Sequence, residues 1–202
     1  MMLLMILGAI SLAEAEPEAL RKQLAGLQVL SLDYGVNRLT VAGVEVLINK
    51  AIIENGNGWS NILYSIMVED SGDAEEAKPH FQWVRIEDGQ QDKSTISALP
   101  HTGEDSIKTI YFMIPKIDGV AIKRDEPPLY LLQVERRYHE SPTNAALADF
   151  SLLALKRDAD NMALYFRKIH HAVSVVPYHN ADCAAWLELG ISMPQFSEDC
   201  VQ

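Results

Sequence analysis

The chain has 202 residues, 48% of them apolar, and a formal net charge of −11. That length suits one well-filled core and predicts a single domain. The acidic balance repels phosphate backbones, which excludes nucleic acid as a partner, and beyond the N-terminus no apolar run is long enough to predict a membrane span.

Met1 to Leu12 is almost wholly apolar, broken only by Gly8 and Ser11, and Ala13-Glu14-Ala15 follows as a small-x-small cleavage pattern. A run this short cannot span a bilayer, which needs about 20 apolar residues, but it fits the core of an export signal. No Lys or Arg precedes it. The expectation is a signal peptide over residues 1–15, a single β-rich domain over residues 16–202, and a periplasmic or secreted location.

Glu16 to Leu27 predicts a short helix, with Pro17 in its first turn, Arg21 and Lys22 later and Gly26 at its end. Strand patterns follow. Leu39, Val41, Val44, Val46 and Ile48 alternate, with a phase break near Gly43 that calls for a bulge or tight turn. Asn55-Gly56-Asn57-Gly58 predicts a turn before a strand over Asn61 to Val68. Glu69 to Pro79 reads as an exposed loop, Phe81 to Ile86 as a strand with Phe81 and Trp83 in the core, and Gln90 to Ser106 as a loop. Ile107 to Ile114 predicts a strand, Val120 to Ile122 a short return strand, and Leu129 to His139 a long one. Leu147 to Lys156 and Met162 to Val176 form a predicted hairpin around Asp158-Ala159-Asp160-Asn161. Asp182 to Leu189 is a second short helix, with Asp182 as N-cap and Gly190 as stop. Strands joined by loops, without βα alternation, predict an all-β fold: an antiparallel β-sandwich or strongly bent sheet with short N- and C-terminal helices.

The two cysteines, Cys183 and Cys200, are close in sequence. In an oxidising compartment they predict one disulfide stapling the tail; without export they would be two free thiols. Nothing in the sequence requires a cofactor or a metal.

Three groups of residues bear on function. Glu135 and His139 fall on one face of the predicted long strand and could act as an acid–base pair, which is the hydrolase reading; the plainer reading is a solvated strand end. His170, His171, His179 and Asp182 could ligate a metal, but neighbours on a strand point to opposite faces, which favours structural histidines. Ser60, Ser65 and Ser151 lack a nucleophile signature. Trp59 sits in the polar loop NGNGWSN with Asn55 and Asn57, where it could anchor a binding partner, or else pack onto the sheet.

Several segments together carry a resemblance. They are Gly35-Val36-Asn37; Glu54-Asn55-Gly56-Asn57-Gly58-Trp59-Ser60; Pro128-Leu129 with Glu135-Arg136-Arg137-Tyr138-His139-Glu140-Ser141; and Tyr178 to Cys183 running into Glu188-Leu189-Gly190. In this order they resemble the carbapenem intrinsic-resistance CarG-like family of periplasmic β-rich proteins, over most of residues 35–190. The sequence departs from that pattern at Trp59, where the family has histidine. It departs again at Arg137-Tyr138-His139, where the family tends to an acidic, aromatic, glycine run. It also lacks a mid-chain cysteine. The resemblance implies export, no hydrolysis of the antibiotic, and protection through binding in the cell envelope; it transfers no catalytic residue. The resulting expectation is a non-enzymatic envelope protein whose partner is another envelope protein, a small ligand or a second copy of the chain. The alternative is a periplasmic hydrolase using the Glu135/His139 region.

Overall fold

The computed structural model describes residues 17–41, 43–54, 60–70, 80–87, 92–100, 106–116, 129–158, 163–191 and 200. The expected leader, the Asn55–Trp59 turn and the expected strand over residues 120–122 lie outside them.

Helix α1 (Pro17–Leu24) buries Leu20 and Leu24, one turn apart, and pairs Glu18 with Lys22 at 3.5 Å on its wet side. It ends three residues before the predicted Leu27, because Leu27 opens strand β1 (Leu27–Val29), which pairs with residues 113–115. The Gly43 phase break is a tight turn. It adopts φ +79° between β2 (Gly35–Val41) and β3 (Val44–Glu54), and Val41 faces Val44 across the hairpin. Glu54 pairs with Ser60, so β3 and β4 (Ser60–Asp70) form a second hairpin.

The single strand predicted over Phe81 to Ile86 is two strands, β5 (His80–Trp83) and β6 (Arg85–Glu87). Val84 between them is fully buried and donates its N–H to the Ile66 carbonyl at 2.9 Å. The chain turns there from one part of the sheet to another. Trp83 is consequently 55% exposed and Phe81 half-buried, so neither belongs to the core as predicted. The loop predicted over residues 90–106 holds two further strands, β7 (Asp92–Lys93) and β8 (Thr95–Pro100), the latter burying Ile96 and Ala98. β9 (Ser106–Pro115) follows. β10 (Tyr130–Arg136) is shorter than predicted and stops before Arg137. β11 (Ala148–Arg157) and β12 (Leu164–Val173) form the predicted hairpin.

The strands make one all-β sheet in the order β2-β3-β4-β8-β9-β10-β11-β12-β6-β7, with β1 beside β9 and β5 beside β4. Pairing is antiparallel except between β12 and β6, which makes the sheet mixed. The edge of β4 away from β3 is shared: residues 62–65 pair with β8 and residues 67–70 with β5. The paired path leaves β4 through β8, runs to β12 and ends at β6 and β7. Val84, between β5 and β6, ties that end of the chain back to β4 through the Ile66 carbonyl.

One core fills the concave side, where Val46, Ile48 and Ile66 meet Phe112, Leu131, Leu153 and Phe166. A second lies on the reverse face of β9–β12, where Val134, Phe150 and Leu152 pack under α1 and α2 (Ala181–Leu189). The N-cap of α2 is Asn180, not the predicted Asp182; its Oδ1 accepts the Asp182 N–H at 2.8 Å. Gly190 ends the helix at φ 69°, as its position predicts. Among the described residues no helix is long and apolar enough to cross a membrane.

Candidate functional site

The concave face of β9–β12 changes character along its strands. Alternation puts Lys108 on the face of Ile110 and Phe112, Gln133 and Glu135 on the face of Leu131, and Asp149 and Ser151 on the face of Leu153 and Leu155. Lys168 shares the face of Leu164 and Phe166. The register between β11 and β12 shifts at Leu152/Leu153, where Leu153 faces Lys168 but Leu152 faces His170. This bulge reverses the phase of β12, so His171, and not His170, stands opposite Ser151 on the concave side.

The resulting polar row borders a cleft of about 80 Å³. A single water needs about 10–15 Å³ on this measure, so the cleft has room for a small chemical group. Ile86, Ile96 and Leu153 form its apolar wall. Lys93, Lys108, Lys168, Glu87, Thr95, Ser97, Gln133 and Ser151 supply the polar atoms. Three ammonium groups in one small cleft are unexpected in a chain of net charge −11.

The acids at this row are already engaged. Glu135 lies 3.3 Å from Lys108 Nζ and accepts from Gln133 Nε2 at 2.9 Å. Asp149 accepts two bonds from the Arg137 guanidinium and lies 2.8 Å from His171 Nε2. Arg167 holds the Glu87 carboxylate at 3.0 and 3.4 Å. Lys168 has no acidic partner among the described residues. A carboxylate, an imidazole and the 6%-exposed Ser151 hydroxyl therefore meet at one corner. However, no hydrogen bond joins Ser151 to His171 among the described residues, and Arg137 shares the Asp149 charge. Nucleophile activation needs that first bond. The corner is built to hold charge, and its free cation faces the cleft.

The residues singled out by sequence are dispersed. Trp59, Asn55 and Asn57 lie outside the described residues. Glu135 and His139 do not form the predicted pair, because β10 ends at Arg136 and the strand alternation stops with it. His139 instead lines a separate open depression of about 540 Å³ with Tyr138, Glu140, Asn144 and Pro177. The solvated strand end also proves partly internal. Arg136 is 2% exposed and donates to the carbonyls of Pro142 and, at 3.3 Å, Asn144, latching the loop after β10.

The histidines do not converge either. His170 and His171 face opposite ways, and His179 Nδ1 lies 2.9 Å from the Thr143 carbonyl. Asp182 receives the Tyr111 hydroxyl at 2.6 Å and the Ser106 hydroxyl at 2.7 Å. Among the described residues no group of three His, Cys, Asp or Glu could hold a metal ion. Burial first, then the Asp182 charge and hydrogen bond, push the Tyr111 phenol far above its usual range. Cys183 and Cys200 are joined by a disulfide with Cα atoms 5.3 Å apart.

No family profile matches this chain, and no curated protein matches it. Its fold is similar to that of CarG, known from a crystal structure, with a TM-score of 0.55 and 14% sequence identity. The likeness covers 79% of this chain and 94% of CarG. At that identity it shows a shared, CarG-like fold.

Proposed function

We propose that this chain is an exported, non-enzymatic binding protein of the cell envelope, built on a CarG-like fold and acting by recognition without turnover. The observation that carries the reading is the cleft: it presents Lys168 and hydroxyls to a ligand, while the nearby carboxylates are tied into ion pairs. The Cys183–Cys200 disulfide supports an oxidising compartment. In its narrower form the reading is protection against a carbapenem without hydrolysis, which the sequence resemblance and the CarG-like fold support.

The test is recovery of the chain from the envelope of a host expressing the full sequence. Mass spectrometry is expected to find an N-terminus at Glu16 and two hydrogens missing at the cysteines. A bound small molecule should survive native ionisation and leave unchanged. A mature chain that keeps Met1 and two thiols defeats the reading.

A hydrolase reading at a place other than the expected Glu135/His139 region has one observation in its favour: Asp149 lies 2.8 Å from His171, which stands opposite Ser151. Ligand turnover that disappears in both Ser151→Ala and His171→Ala would select it.

A further inference from the structure

We infer that the cleft is a site for the carboxylate of a small organic acid, with Lys168 taking the charge and Ile86, Ile96 and Leu153 taking the adjoining carbon skeleton. The inference rests on the binding reading above and narrows it to a ligand class.

The fold displays the recognition chemistry once already. The Glu135 carboxylate takes a lysine, Lys108 at 3.3 Å, and an amide N–H, Gln133 at 2.9 Å. Lys168 and Ser151 line the same cleft, and Lys168 has no acidic partner among the described residues. That second lysine and the Ser151 hydroxyl offer an incoming carboxylate a comparable set: one ammonium and one neutral donor. Charge-assisted bonds of this kind are about twice as strong as neutral ones. Glu87, the acid on the cleft wall, is held by Arg167 and does not neutralise Lys168.

The wall chemistry selects among anions. An inorganic phosphate would have to shed water from all its oxygens, and those turned to Ile86, Ile96 and Leu153 would find no donor, which is costly. A carboxylate concentrates its charge at one end and leaves carbon for the apolar wall. The volume of about 80 Å³ fits that end group and a short stem.

Nuclear magnetic resonance titration of the full mature chain, disulfide intact, tests this with acetate, butyrate and inorganic phosphate at low ionic strength. Butyrate is expected to shift the amides of Gln133, Ser151 and Lys168 and to bind more tightly than acetate, with phosphate weakest. Lys168→Gln should weaken butyrate about tenfold, as expected for losing one charge-assisted bond, and Lys168→Arg should retain it. Glu135→Gln should tighten it, because Lys108 is released toward the cleft; a merely structural lysine would not respond in this way.

Phosphate binding as tightly as butyrate, shifts located elsewhere, or unchanged affinity in Lys168→Gln would each overturn the inference. If envelope-derived protein still carries an unaltered ligand while the cleft ignores every probe, the carboxylate site alone falls. If the cleft binds butyrate but the mature chain keeps its leader and free thiols, the envelope reading alone falls.

Discussion

Tyr111 and Asp182 meet at 2.6 Å, joining the middle of β9 to the first turn of α2. The Asp182 carboxylate also sits where the helix leaves N–H groups unpaired, a position that favours negative charge. Tyr111→Phe removes the hydroxyl but keeps the ring, so the loss isolates the hydrogen bond. The expected cost is about 1.5–3 kcal/mol, the range for a bond to a charged group, measured as a shift in urea midpoint near neutral pH.

The same phenol makes the fold sensitive to alkali. Burial, then the neighbouring Tyr34 and Asp182, push Tyr64 up to about 12 from its ordinary 10.0. Tyr111 and Tyr178 are raised further, in both cases first by burial. These groups hold their protons longer in the folded chain than in the unfolded one. Their contribution is therefore complete below pH 10.0 and drains away as pH rises from there through about 12. Urea midpoints should fall steeply above pH 10.0, and Tyr111→Phe should make that fall shallower.

The Cys183–Cys200 link closes a sequence separation of 17 and fastens the tail to buried Cys183 on α2. On the loop-entropy scale its removal costs about 3 kcal/mol. Cys200→Ser is the cleaner variant, since it leaves the buried partner in place. Thermal melting of this variant and of the wild type should differ, and adding reductant should erase the difference.

Arg136 is expected to be more sensitive than any exposed ion pair. Truncation to Ala empties the buried Arg136 position and takes the donor from the carbonyls of half-buried Pro142 and exposed Asn144. An unsatisfied buried acceptor costs about 1–3 kcal/mol, so Arg136→Ala should cost roughly 3 kcal/mol or more by denaturant titration. Arg38→Ala, at the exposed pair with Glu45, should cost less than about 1 kcal/mol.

Gly190 holds a left-handed conformation at φ 69°. Alanine there should cost about 1–2 kcal/mol from backbone strain alone, since the nearest atoms to an added Cβ are the Arg21 guanidinium at 3.7 and 3.8 Å. A thermal melt checks it.

Features that depend on a few neighbouring residues were legible in the sequence. The Gly43 turn, the β11–β12 hairpin and the Gly190 stop each rest on a local conformational preference. β8 was not, although Thr95-Ile96-Ser97-Ala98 alternates, because the polar residues around it outweigh two inward side chains. The break at Val84 was also hidden. Apolar residues continue through it, and only tertiary pairing with Ile66 reveals the change of partner. Asn180 captured the helix cap because its short amide reaches the Asp182 N–H, which freed Asp182 for Tyr111 and Ser106. The cleft had no linear signature. Its lysines come one each from β7, β9 and β12, and the β12 bulge decides which histidine stands opposite Ser151.

The parallel contact of β6 with β12 joins residues near 85 to residues near 165. Such a distant pairing closes a long loop, at a cost in chain entropy. Ile86 on β6 is also part of the cleft wall, so the cleft is complete only when this pairing is made. A half-finished chain has no place for a guest, and any guest that binds holds that pairing in place.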